Sequence, residues 1–177
     1  MRIIGGASRG RTLQGPPDSS VRPTADALRE TLFNILGPSC RAVTMLDAFA
    51  GTGAVGLEAI SRGAAKVTFV ERDPRVIRVL KENIRRCGSE NACAIVNRDV
   101  FGLGVPPGTF DVVFLDPPYE MKDVEAALLV GAGAVAPGGR MILEHSRRRE
   151  APEAVGALRR TRVVIAGDSA LSFYAVV

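Results

Sequence analysis

Apolar residues in this chain gather in short runs divided by stretches where they recur every three to four positions. The runs around Val43, Met45 and Leu46, at 66–73, at 92–97, at Phe110–Leu115, at 140–144, at 161–166 and at 169–177 read as strands. They are short, bounded by turn residues and mostly uninterrupted by charge, as strands covered on both faces are. Helical spacing marks 24–36 (Leu28, Leu32, Ile35 and Leu36, with Phe33 alongside), Ala54–Ser61, 75–86 (Val76, Ile77, Leu80 and Ile84), 124–132 and 150–158. Thr24 is a fair N-cap for the first of these, and Gly37-Pro38 stops it. Strands that alternate with helices predict an α/β fold around a mostly parallel sheet. The Gly167-Asp168 connection is too short for a crossover, so the last strand pair is antiparallel.

The centre of the pattern is Met45-Leu46-Asp47-Ala48-Phe49-Ala50-Gly51-Thr52-Gly53-Ala54-Val55-Gly56. A buried strand breaks at two glycines and resumes as a helix, the arrangement that forms a nucleotide crevice at the carboxyl edge of a parallel sheet. Glu71 follows Gly51 by 20 residues, where an acid accepts hydrogen bonds from ribose hydroxyls. A tight turn with no ligand is the plain alternative for the glycines alone. Asp47, Glu71 and Asp116, all at strand ends, weigh against it.

Residues 1–23 differ from the rest. Two strand-like pieces, Arg2-Ile3-Ile4-Gly5 and Arg11-Thr12-Leu13-Gln14, flank Ala7-Ser8-Arg9-Gly10 and suggest a hairpin. Arg2, Arg9, Arg11 and Arg22 face only Asp18. This basic arm is expected to contact RNA phosphates, and to be separable from the glycine loop; a solvated arm is the alternative.

Composition changes the picture little. With 177 residues, 46% of them hydrophobic, the chain is expected to make a single domain, residues 1–23 an arm on a core of 24–177. No apolar run nears the ~20 residues of a membrane span, and the first residues lack a signal-peptide pattern, so a cytoplasmic location is expected. Cys40, Cys87 and Cys93 are odd in number and lack metal-ligand spacing, which suits reduced thiols and no metal. A net charge of +4, carried mainly by arginine, permits a nucleic-acid partner without requiring one.

The chemistry points to Asp116-Pro117-Pro118-Tyr119, directly after a strand. Two prolines remove two backbone donors and stiffen the turn. An acid beside outward carbonyls makes an acceptor-only surface, which matches an –NH2 group with its two donors. Tyr119 offers a flat face on which a base stacks.

Asp-Pro-Pro-Tyr is the amino-methyltransferase motif, and Asp47-Ala48-Phe49-Ala50-Gly51-Thr52-Gly53 resembles the S-adenosylmethionine loop of that class. Arg2-Ile3-Ile4-Gly5-Gly6, Arg9-Gly10-Arg11, Arg22-Pro23-Thr24 and Arg29-Glu30-Thr31-Leu32-Phe33-Asn34 make the resemblance more specific. Together they resemble the bacterial 16S rRNA guanine-N2 methyltransferases of the ribosomal small subunit methyltransferase D family. Ala25 and Ala27 depart from it, standing where the family usually has Thr and Arg. The resemblance implies a Rossmann-like class I methyltransferase: a seven-stranded sheet with its last strand antiparallel, helices on both faces, and S-adenosylmethionine as cofactor. It implies that Asp47 and the backbone of Ala50, Gly51 and Gly53 hold the methionine part. Glu71, with Arg72 beside it, holds the ribose, and Asp99 with Val100 the adenine. Asp116 and the Pro117 carbonyl hold the target amine, Tyr119 lies against the base, and Asp116 also borders the cofactor. The implied substrate is 16S rRNA or a small-subunit particle, met by a monomer.

Three other readings compete. An NAD-dependent oxidoreductase fits Gly51, Gly53, Gly56 and Glu71 but leaves Asp116-Pro117-Pro118-Tyr119 unexplained. A DNA adenine or cytosine amino-methyltransferase shares the catalytic argument but gives residues 2–34 no purpose. A non-catalytic RNA-binding protein is opposed by the intact acids.

Overall fold

The computed structural model describes residues 1–15 and 23–177; Asp18 and Arg22 lie outside the described residues. Four strands run parallel: β1 (Thr44–Asp47), β2 (Lys66–Glu71), β3 (Cys93–Asn97) and β4 (Phe110–Leu115). The next, β5 (Val135–Ser146), continues parallel to β4. A two-residue strand, β6 (Ala154–Val155), precedes the long pair β7 (Leu158–Ala166) and β8 (Ser169–Ala175). The sheet order is β3-β2-β1-β4-β5-β8-β7-β6, and β8 runs antiparallel to both neighbours. The expected seven strands are therefore present with the expected antiparallel end, and β6 extends the edge by one short strand.

Helices cover both faces. On one lie α1 (Pro23–Leu36), α2 (Ala54–Ser61) and α3 (Pro74–Cys87), packing Leu28, Leu32, Phe33, Leu57, Leu80 and Ile84 against Met45, Phe69, Phe114, Ile142 and Phe173. On the other, α4 (Val124–Ala134) brings Ala127 and Leu128 onto Leu46, Val113, Leu115, Met141 and Tyr174. Strand residues alternate between the two cores because successive side chains point to opposite faces.

The helix expected at 150–158 does not form. Pro152 and Gly156, the latter at φ 55°, interrupt it, and Gly156-Ala157 is the two-residue loop of a hairpin in which Val155 pairs with Leu158. Apolar residues at Ala151, Val155 and Leu158 are buried as expected, but as hairpin flanks rather than a helical stripe. Among smaller differences, Thr24 lies within α1, Pro23–Leu36. The strand expected at 140–144 begins earlier, at Val135, with an irregularity before Arg140 that holds Pro137-Gly138-Gly139.

The N-terminal hairpin is real but minimal: one antiparallel bridge joins Arg2 to Thr12. Its anchors are side chains of the core. Glu58, fully buried on α2, accepts the N–H of Ile4 at 2.7 Å and of Gly5 at 2.8 Å. Ser61 accepts the N–H of Ser8 and donates to the Gly5 carbonyl. Gly6, at φ 78°, lies so close that a Cβ there would sit 1.8 Å from the Ser61 carbonyl oxygen. Only glycine admits this contact. Glu58 also pairs with Arg62 at 2.7 Å and faces the buried Arg29 at 3.7 Å.

Candidate active site

The first strand ends at Asp47 and the chain turns sharply into α2. Gly51 (φ 53°) and Gly53 (φ 83°) both occupy the left-handed region that favours glycine. The Asp47 carboxylate reaches across the turn to accept the N–H of Gly56 at 3.0 Å, tying strand to helix. Gly51 N–H donates to Glu71 Oε2 at 3.1 Å, and Gly53 N–H to the Ala50 carbonyl at 2.8 Å. These two donors are engaged within the chain, so the surface that Gly51 offers a ligand is its carbonyl.

Two adjoining cavities open along the carboxyl edge of the sheet and share Phe49, Gly51, Glu71 and Asp116. One, about 350 Å³, runs from the glycine loop to Asp116 and Glu144 beneath Arg29 and Leu32 of α1. The other, about 500 Å³, runs from Glu71 and Arg72 to Asp99, Val100 and Phe101, bounded by Pro118 and Met121. Their combined size is that of a pocket for an extended nucleoside ligand. Of the residues singled out from sequence, Asp47, Ala50, Gly51, Glu71, Arg72, Asp99, Val100 and Asp116 all line these cavities. Gly53 does not; it serves the packing of the loop on Leu80, since a Cβ there would lie 2.3 Å from the Leu80 Cδ1.

At the wider end, Glu71 Oε1 accepts the N–H groups of Arg72 and Asp73, both at 2.8 Å, which fixes the carboxylate at the strand end. Arg72 forms an ion pair with Asp99 at 3.1 Å, and Asp99 caps the following turn by accepting from Phe101 N–H. Phe101, 44% exposed, presents an aromatic face to the cavity. Neither it nor Phe49 stands out in the sequence, where each reads as an ordinary core candidate.

At the narrower end acids accumulate. Burial pushes the Asp47 carboxyl up to about 7; the Gly56 hydrogen bond opposes this, and the charges of Asp116 and Glu71 add to it. Asp116 is open to the cavity, yet protein surrounds it closely enough that desolvation raises its carboxyl above the usual range. Glu144, at the corresponding position on β5, is raised by burial and by the charge of Asp116, against a hydrogen bond from Ser169. Sequence reasoning misses Glu144, which looks like a strand-end charge. The pairing of Leu115 with Leu143 shows why it belongs here: the next residues, Asp116 just past β4 and Glu144 within β5, follow in neighbouring positions, and both line the narrower cavity.

Tyr119 lies on the rim, 48% exposed, with its hydroxyl 2.9 Å from Ser169 Oγ. Pro117, Pro118 and Tyr119 wall a smaller cavity of about 110 Å³ with Glu144, His145 and Arg149.

The basic arm is not gathered at the cleft. Met1 lines the narrower cavity and Arg2 follows it, its carbonyl bound by Arg29 at 2.6 Å. Arg9 lies near the end of α2, and Arg11 hydrogen-bonds the Arg86 carbonyl at the end of α3. Both helix ends are at the opposite edge of the sheet. The arm is also no separable tail. Gln14 exchanges two hydrogen bonds with the buried Asn83, whose amide also donates to the Thr52 carbonyl in the glycine loop. Arg147, Arg148 and Arg149, by contrast, form an exposed turn after β5, on the cleft side. Among the described residues no group of acids, histidines and cysteines is arranged to hold a metal ion. Burial pushes all three thiols up, Cys93 to about 12.

Comparison with known proteins agrees with this geometry. The model of the family described as Conserved hypothetical protein 95 matches residues 1–175. The ribosomal RNA small subunit methyltransferase D of Escherichia coli is 37% identical over 177 residues, covering 98% of this chain and 89% of that one. Its Haemophilus influenzae counterpart is 45% identical over 132 residues, 72% and 68% of the two chains. A solved structure of a hypothetical protein from Thermus thermophilus superposes with a TM-score of 0.80 at 34% identity, covering 100% of this chain and 99% of that one.

Proposed function

Because the chain belongs to the family of the ribosomal RNA small subunit methyltransferase D proteins, we propose that it methylates the exocyclic N2 amine of a guanine in 16S rRNA with S-adenosylmethionine as donor. The observation that carries this reading is the position of Asp116-Pro117-Pro118-Tyr119. The motif stands where the two cavities meet, with Asp116 common to both. We read the chain as one methyltransferase unit, acting as a monomer in the cytoplasm on the RNA or the small-subunit particle.

The donor set fits the cofactor. Glu71 is held at the strand end by three backbone N–H groups and lines both cavities, and its remaining lone pairs suit ribose hydroxyls. Phe101 and Val100 offer an apolar face to adenine, with Asp99 at its edge. Asp47 and the Gly51 carbonyl are acceptors for an ammonium group. When bound, S-adenosylmethionine supplies an already activated methyl group, so no metal is called for.

Asp116 and the Pro117 carbonyl accept the two amine N–H groups and orient the nitrogen. This matters because the guanine N2 lone pair is delocalised into the ring and is a weak nucleophile. Two acceptors on its N–H groups draw the nitrogen toward a pyramidal shape. The Asp116 carboxylate offsets the positive charge that grows on nitrogen. Tyr119 holds the plane of the base at the rim. Holding the reactants in line supplies up to ~7–11 kcal/mol of the acceleration. A base stacked inside a helix does not reach Asp116, so the target is flipped out or lies in a loop.

The test is single-turnover transfer of labelled methyl to 16S rRNA from cells lacking this protein, followed by digestion and mass spectrometry of nucleosides. N2-methylguanosine is the expected product; methyl-adenosine or methyl-cytidine alone would falsify the assignment of the base.

A further inference from the structure

Methyl transfer to a neutral amine leaves a cationic nitrogen that must lose one proton, and the bound base covers the mouth of the site. We propose that Glu144 is the proton-handling partner of Asp116, and that Ser169 and Tyr119 carry the released proton from it to solvent. This rests on the reading of Asp116 as the residue that holds the target amine.

The geometry has three parts. First, Leu115 and Leu143 pair in parallel register, so Asp116 and Glu144 follow as neighbours, on the same face as Phe114 and Ile142. Both line the narrower cavity. Second, Glu144 partners the hydroxyl of Ser169, the first residue of β8, opposite Ser146; that hydroxyl donates to Glu144 when the acid is ionised and accepts from it when the acid carries the proton. Third, Ser169 Oγ lies 2.9 Å from the Tyr119 hydroxyl, and Tyr119 is 48% exposed while Ser169 is 8% exposed. The hydroxyls therefore lead from a covered acid to the outer rim.

The charges around the pair decide who carries a proton. Asp47 on β1, Glu71 on β2 and Asp116 just past β4 are acids in the same cavity. Among the described residues, the cationic side chain lining it is Arg29 on α1, which bonds Asp26 at 3.0 Å and faces Glu58. Behind Glu144, the smaller cavity holds Glu125, His145, Arg149 and Glu150. His145 Nε2 is bound to Ser172 Oγ at 2.9 Å rather than to Glu144. Among the described residues no cation stands between the two carboxyl groups, and neighbouring carboxyl groups in that setting share a proton. Both carboxyls are raised, Asp116 by desolvation and Glu144 by burial and then by the charge of Asp116. In this proposal the shared proton sits on Glu144, which leaves Asp116 ionised to accept the amine.

The proton balance then closes. The methylated nitrogen gives its proton to the Asp116 carboxylate. Glu144 passes its proton to Ser169 Oγ, the Ser169 hydroxyl proton moves to Tyr119, and the Tyr119 proton goes to water. The proton on Asp116 moves to the vacated Glu144 carboxylate. One proton reaches solvent per methyl transferred, and both acids return to their starting state.

Two measurements test this. The first reads no activity: NMR titration of the Glu144 carboxyl in the free protein. It is expected to titrate well above an ordinary glutamate, and to fall when Asp116→Asn removes the neighbouring charge. An ordinary titration overturns the proposal. The second is the pH dependence of single-turnover methyl transfer. The wild type needs Asp116 ionised and Glu144 protonated, so its rate rises and then falls with pH. Glu144→Gln cannot titrate. It is expected to keep the acidic limb, lose the alkaline one and run roughly 10²-fold slower at its optimum, with cofactor affinity held. A profile merely scaled down overturns the proposal. Tyr119→Phe keeps the ring and changes one rim hydroxyl; transfer at the wild-type rate refutes the exit route. Asp116→Ala separates the two levels: if that variant transfers methyl at the wild-type rate rather than roughly 10²–10³-fold slower, the underlying reading of the site is wrong. If it slows by that factor, and Glu144→Gln keeps both limbs, only the present inference fails.

Discussion

At the scale of single residues, the narrow end of the cleft concentrates acids that would repel one another in water. Asp47 shows the consequence. With its carboxyl near 7, it is partly protonated at neutral pH. A cation beside it favours the ionised form, so binding an ammonium group releases a proton. The affinity for S-adenosylmethionine is therefore expected to rise as pH increases toward about 7 and to level off above it. Calorimetry at neutral pH in two buffers of different ionisation enthalpy measures the release; identical apparent enthalpies would remove Asp47 from the contact. Asp116 separates binding from chemistry. Asp116→Ala leaves the glycine loop intact, so cofactor affinity should stay near normal while methyl transfer falls by roughly 10²–10³-fold. Asp116→Asn keeps a neutral acceptor and should lie between that variant and the wild type. Single-turnover rates measured beside cofactor affinity check both.

At the scale of elements, the N-terminal hairpin is a brace. Its backbone N–H groups end on Glu58 and Ser61 of α2, and Gln14 reaches the glycine loop through Asn83. Arg62 lies over the Phe33 ring at 5.2 Å, joining α2 to α1 as well. Removing residues 1–15 would strand these buried polar groups, so the cofactor loop should loosen with them, contrary to the expectation of a separable arm. Glu58→Ala is the sharper variant. It leaves the Arg29 guanidinium, 2% exposed, without its facing carboxylate, and breaking a buried pair costs about 3–5 kcal/mol. Thermal unfolding should shift down by roughly 10 °C, and cofactor affinity should weaken although Glu58 lies outside both cavities. An unchanged melting temperature would show that the hairpin only rests on α2.

At the scale of the whole molecule, the parallel sheet sends its strand ends to one edge, and with them Asp47, Glu71, Asp99 and Asp116. The basic residues are distributed otherwise. Arg9 and Arg11 sit at the far edge, whereas the turn of Arg147, Arg148 and Arg149 lies on the cleft side, with Arg149 lining the smaller cavity. Each RNA phosphate left without its arginine should lower the slope of log affinity against log salt by about 1. Arg148→Glu with Arg149→Glu is therefore expected to weaken RNA binding and flatten its salt dependence more than Arg9→Glu with Arg11→Glu. Filter binding across a salt series measures this, and the reverse ranking would place the RNA on the far side of the sheet.

What can be read from the residues alone follows from interactions local in sequence. Strand and helix periodicity, the glycine turn between β1 and α2, and acids at strand ends are set within a few positions, and they appear in the structure where the pattern puts them. The stretch 150–158 misleads for the same reason. Its apolar spacing suits a helical face as well as a hairpin, and the outcome turns on Pro152, Gly156 and the open edge of β7. The other differences belong to contacts distant along the chain. Glu58 is an ordinary helix glutamate until the hairpin, more than 50 residues away, lays two N–H groups on it. Glu144 is an ordinary strand-end acid until the register of β4 and β5 sets it beside Asp116. A charged side chain carries no local mark of whether it will face water or a buried partner; only the packing of distant segments, which decides its desolvation and its neighbours, makes that choice.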